Sequence, residues 1–104
     1  MEEVVRDAGK LAGTTVRVRG RFRGRNLFSE DSCEGAPSDG WFLREGRFGL
    51  WVTGKKPQGK GWVLDPTRLD DTHRWLEVRG KVALKDECVV LQAQDVELVT
   101  GPAP

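Results

Sequence analysis

Val16-Arg17-Val18-Arg19-Gly20-Arg21-Phe22-Arg23-Gly24-Arg25 sets an arginine at every odd position and an apolar residue or glycine at every even one. Successive side chains leave a strand on opposite sides, so strict alternation makes a strand with one apolar and one charged face. A helix turns about 100° per residue and would smear five alternate arginines around its whole circumference. The stretch is therefore read as a barrel-type strand, with Val16, Val18 and Phe22 inside and a cationic ridge outside.

The same chemistry returns sixty residues later. Val78-Arg79-Gly80-Lys81-Val82 repeats Val18-Arg19-Gly20-Arg21-Phe22, within a strand running from Trp75 to Leu84. Gly20 and Gly80 are expected where strands bend to close a small barrel, at bulges. A bulge at Gly20 would change the facing of Arg21 to Arg25, so Arg17 and Arg19 are the arginines placed outward.

Between these strands lies a hairpin. Trp41 to Glu45 and Phe48 to Thr53 flank the turn Gly46-Arg47, with Trp41 and Leu43 on one face and Phe42 and Arg44 on the other. A loop of turn formers, Asn26 to Gly40, precedes the hairpin; only Leu27 and Phe28 in it call for burial. After the hairpin, residues 54–61 read as a flexible basic loop, and Trp62-Val63-Leu64 as a short extra strand or plug. Asp65-Pro66 then starts a short helix of about two turns through Leu69 to His73, with Asp65 as N-cap. Lys85-Asp86-Glu87 turns the chain and Cys88 to Gln94 makes the last strand, with Val89, Leu91 and Ala93 inward and a tail from Val96 to Val99. Residues 1–13 form an amphipathic lead-in that closes one barrel end, and residues 100–104 a frayed tail.

The totals fit one domain over residues 1–104, all-β: a five-stranded Greek-key OB-fold barrel with one short helix between strands 3 and 4. The longest unbroken apolar run, Cys88 to Leu91, is far too short for a transmembrane helix. The acidic start lacks the apolar core of a signal peptide, which points to the cytoplasm. Net charge is +1, yet residues 1–28 carry seven basic and three acidic side chains while the remainder is net acidic. That asymmetry can give a local positive field on a nearly neutral protein; the alternative, of equal weight, is a solvated strand face whose arginines pair with acids on neighbouring strands.

Gly40 through Val52 resembles the second and third strands of nucleic-acid-binding OB domains. The pattern is most similar to the anticodon-binding domain of class II aminoacyl-tRNA synthetases, which runs Phe-x-x-Leu-Arg-Asp-Gly-x-Gly-x-Ile-Gln-Val across this hairpin. Leu43, Arg44 and Gly46 match, while Glu45 stands for the family's Asp and Leu50 for its Ile. Trp51 replaces the glutamine that contacts bases, so the resemblance implies the fold and a stacking surface, not anticodon specificity.

An OB-type site for single strands needs aromatic faces for bases and cations along the backbone track. Phe42, Arg44 and Trp51 on the outer wall of the hairpin, Arg17 and Arg19 on the first strand, and Lys55 and Lys56 after the third supply both. The function expected is binding of single-stranded DNA or RNA with little sequence preference. The alternative is an OB-fold protein-interaction or accessory domain without nucleic-acid binding, outside the cytoplasm if exported.

No catalytic residues are expected. His73, the single histidine, has no evident Cys or Ser partner, and Asp70-Asp71 diverge on a helix. Two cysteines and one histidine cannot complete a closed zinc site, so neither metal nor cofactor is expected. Cys33 and Cys88 fall in loops that flank one cleft of an OB-fold. In an exported protein they would form a disulfide restraining the long loop; two unpaired cytosolic thiols are the reading preferred from sequence.

Overall fold

The alternation of the first strand survives intact in the computed structural model, which describes residues 1–31 and 33–102. Strand β1 (Thr15–Phe22) buries Val18 and Phe22 and keeps its arginines on the other face. It is joined by β2 (Trp41–Glu45), β3 (Phe48–Thr53), β6 (Trp75–Lys85) and β7 (Cys88–Val99). These five close a barrel in the order β1-β2-β3-β7-β6. Only the β3–β7 pairing is parallel; the others are antiparallel. This is the OB arrangement expected from the strand order. The pair β4 (Gln58–Gly59) and β5 (Trp62–Val63) forms a separate two-stranded sheet. Trp62-Val63 is thus the short extra strand, and Gln58-Gly59 of the basic loop is its partner.

Gly80 lies at a register shift in the β6–β7 pairing, between Arg79 and Gly80, as expected. Three details depart from the sequence reading. The β1–β6 register runs unbroken from Thr15↔Lys81 to Arg21↔Trp75, so Gly20 carries no bulge and Arg21 stays on the outer face. The last strand, β7, opens on Cys88 but does not end at Gln94; it runs on without a break to Val99. The helix expected through Leu69 to His73 shrinks to a single 3-10 turn, Leu69–Asp71. Its polar residues bond locally instead: Asp65 accepts from the backbone N–H and hydroxyl of Thr67, and the Thr72 hydroxyl donates to the Leu69 carbonyl. Such short-range bonds compete with helix propagation.

The lead-in forms two short helices, α1 (Glu2–Arg6) and α2 (Ala8–Leu11), whose Val4 and Ala8 enter the main core. That core fills the barrel with Phe22, Trp41, Leu43, Leu50, Val52, Leu76, Val78, Val82 and Leu91. Trp41 and Phe22 meet there with ring centroids 5.7 Å apart. The indole N–H of Trp41 donates to the Lys55 carbonyl at 2.9 Å, which satisfies the one polar atom the ring carries inward.

A second, smaller cluster lies outside the barrel wall. Phe42, Trp51, Cys88 and Val90 are buried there, with Cys33, Ala36 and Ala83 against them. Its floor is the outer face of β2, β3 and β7; its roof is the loop that leads from β1 to β2. That roof determines what the functional face can do.

Candidate functional site

Phe42 and Trp51 were expected to stand uncovered on the outer wall; they are 4% and 6% exposed. They do point outward from the barrel, as the alternation of the hairpin requires. They are cross-strand partners in the β2–β3 ladder, with ring centroids 5.4 Å apart at 60°. Gly49 permits this packing, because a Cβ there would run into the Phe42 ring. What the alternation cannot convey is that the chain's own loop lies over both rings.

Four kinds of contact hold the loop down. Cys33 is disulfide-bonded to Cys88 at the start of β7, with Cα atoms 5.5 Å apart. The Trp51 indole N–H donates to Asp31 Oδ2 at 2.5 Å. Glu30 forms ion pairs with both Arg23 and Arg44, the Arg23 contact at 2.7 Å. Gly35 sits so close to the Lys85 carbonyl that no side chain fits between them. The loop is ordered internally as well: the Asn26 carboxamide accepts from the Glu30 backbone N–H at 2.8 Å and donates to the Asp31 carbonyl at 2.6 Å. The disulfide overturns the preference for two unpaired thiols. Asp31, Cys33 and Cys88 bring ligand-type atoms within 4.8 Å of one another. With both sulfurs in a disulfide no thiolate remains, and the group is a poor metal site.

The magnitudes favour the closed loop. Burying a large apolar side chain is worth roughly 1.5–3 kcal/mol, and two rings are covered here. Cross-linking across 55 residues adds about 4 kcal/mol in the chain-entropy description. One stacked base returns only about 1–3 kcal/mol. Uncovering Phe42 and Trp51 thus gives up the burial of two rings, more than one stacked base returns.

The basic residues expected at the site fall into separate places. Arg19 lies directly opposite Glu77 on β6, and its Nε meets Glu77 Oε1 at 2.8 Å. Arg17 shares the same carboxylate at 3.8 Å. Arg44 is held by Glu30 and by the Gly46 carbonyl, to which its Nε donates at 2.7 Å. Lys55 and Lys56 are exposed in the turn after β3. Lys56 borders a groove of about 570 Å³ whose apolar wall includes Trp41, Pro57 and Leu64. The expected cationic track is thus a set of ion pairs to a partner strand and to the loop, with Lys55 and Lys56 elsewhere, without an ion pair among the described residues.

The sequence reading allowed for arginines paired with acids on neighbouring strands but did not name the partners. They are Glu77 for Arg17 and Arg19, Glu30 for Arg23 and Arg44, and Asp95 for Arg79 on β6, while Asp31 caps Trp51. Asp95 is held below the usual carboxylate range by the Arg79 hydrogen bonds and charge. Asp65 is likewise lowered, by the Thr67 hydroxyl and then its backbone N–H. Also missed was Trp75, whose ring lies under the Arg21 guanidinium at 5.4 Å. Its place on the odd face of a strand, level with the arginines, was the available signal.

No family model matches the sequence. Among solved structures, the chain is similar to the hypothetical protein ygiW from E. coli, at 18% identity with a TM-score of 0.59. The alignment covers 91% of this chain and 86% of that one. At that identity the likeness concerns the fold, and it agrees with an OB-like barrel.

Proposed function

We propose that this chain is a non-catalytic OB-fold module for contact with another protein, working where disulfides persist. One observation carries the reading: the aromatic face of β2 and β3, which an OB domain would offer to a single strand, is sealed by its own loop through Cys33–Cys88 and Asp31–Trp51. A structural disulfide favours an oxidising compartment, hence export rather than the cytoplasm. The pairing of Arg17, Arg19 and Arg44 with carboxylates argues in the same direction, since it neutralises three of the cations expected along the nucleic-acid track. The hairpin's similarity to anticodon-binding domains is accordingly taken as a likeness of strand chemistry alone.

The competing reading is single-stranded DNA or RNA binding, which Lys55 and Lys56, exposed and without an ion pair among the described residues, favour. Fluorescence anisotropy with labelled oligo-dT and oligo-U, from low to physiological salt, separates the two. The expected result is no binding by the oxidised protein even at low salt. Binding that falls steeply as salt rises is the signature of phosphate contacts, and it would reinstate the nucleic-acid reading.

A further inference from the structure

Arg21 has two direct cross-strand partners: Arg44 on β2 and Trp75 on β6. Like charges directly opposite on a sheet are destabilising, and little here relieves them. One carboxylate, Glu30, serves Arg44 and Arg23 together. Among the described residues no carboxylate pairs with Arg21, which lies exposed over the Trp75 ring. These groups line a cleft of about 400 Å³ that holds Arg21, Arg23, Arg44 and Trp75, with Glu30 and Glu45. Trp75 is also a wall of a second hollow, of about 410 Å³, which Leu98 and Val99 line on its apolar side.

The geometry selects a type of ligand. The Arg44 Nε is fixed on the Gly46 carbonyl, and Arg23 is fixed on Glu30 and, through Nη1 at 3.1 Å, on the Thr72 carbonyl. A guanidinium carries five N–H groups in a rigid fork, so each keeps donors to spare. Spare, oriented guanidinium donors match a carboxylate or a phosphate. Glu30 and Glu45 in the same cleft work against a chain of phosphates, whereas a single carboxylate meets a net cationic setting. The hollow past Trp75 is of mixed lining, with His73, Arg74 and Thr100 beside Leu98 and Val99, and those last two offer an apolar contact to a side chain next to that carboxylate.

We propose that this cleft docks an acidic segment of a protein partner. A carboxylate sits between Arg21 and Arg44, and a neighbouring apolar side chain lies across Trp75 against Leu98 and Val99. The proposal rests on the protein-contact reading above and names the chemistry of the partner.

The test uses the oxidised full chain and a fluorescein-labelled peptide of Glu-Leu pairs spaced by glycine. Binding is read by anisotropy and by the Trp75 indole signal in NMR, assigned with Trp75→Phe. The peptide should bind at low salt and shift that signal, and Arg21→Glu should weaken it by about tenfold or more. Replacing Glu by Gln in the peptide should cause a similar loss, and replacing Leu by Ser a smaller one. Unchanged Trp41 and Trp51 signals in Arg21→Glu establish that the variant is folded. Absence of peptide binding, or equal binding by Arg21→Glu, overturns the cleft while leaving the protein-contact reading in place. Displacement of the peptide by oligo-dT would assign the cleft to nucleic acid and overturn both.

Discussion

The indole N–H of Trp51 and the carboxylate of Asp31 are joined by a 2.5 Å hydrogen bond that ties the centre of β3 to the loop above it. Removing the acceptor leaves a buried donor unsatisfied, which costs about 1–3 kcal/mol. Asp31→Ala should lower the urea-unfolding free energy by that amount. Asp31→Asn, which keeps an acceptor oxygen, should recover part of it. Equal stability of Asp31→Ala and the parent would mean that the bond does not hold the loop.

Reduction of Cys33–Cys88 should loosen the roof without dissolving the barrel, since the main core shares no residue with the cluster beneath the loop. Cys33→Ser with Cys88→Ser should lose about 2–4 kcal/mol. Tryptophan emission should move to the red as Trp51 becomes wetter. Thiol titration should count no free thiols before reduction and two after it.

Gly49 has no room for a methyl group because the Phe42 ring occupies its outer side. Gly49→Ala should cost about 1–3 kcal/mol through overpacking. Adding Phe42→Leu should offset part of that loss, which a double-mutant cycle in urea would measure.

Acid should destabilise the fold through its exposed carboxylates. Asp65 and Asp95 both have folded pKa values lowered from 3.8. Their contribution is complete above that value and is lost as pH falls through the depressed folded values, because the unfolded chain then binds more protons. The urea midpoint should therefore decline below about pH 4. Asp95→Asn should flatten the decline, and an unaltered pH profile would show that the Arg79–Asp95 pair contributes nothing.

Much of the barrel is legible in the sequence because alternation reports directly on which side of a strand a residue lies. Arg17 to Arg21, Trp41 with Leu43, and Leu76 with Val78 all take the faces their positions require. Alternation is silent about what covers an outer face. Trp51 and Phe42 look wet because Asn26 to Gly40 contains few residues that call for burial, yet Ala36, Cys33 and the carboxylate of Asp31 suffice to close over them. The arginine ridge was left between two readings for a related reason. Glu77 and Glu30 reach it from a partner strand and a loop, and only the register brings them there.

Cys33 and Cys88 lie 55 residues apart, and the second of them begins the final strand. The roof can be locked only after Cys88 has been made and β7 lies beside β3. Until that moment an emerging chain presents a lone sulfhydryl and two wet aromatic rings, the form most exposed to mispairing with other thiols. Sealing thus follows the placement of β7, and it doubles as a mark that β3 and β7 have come together.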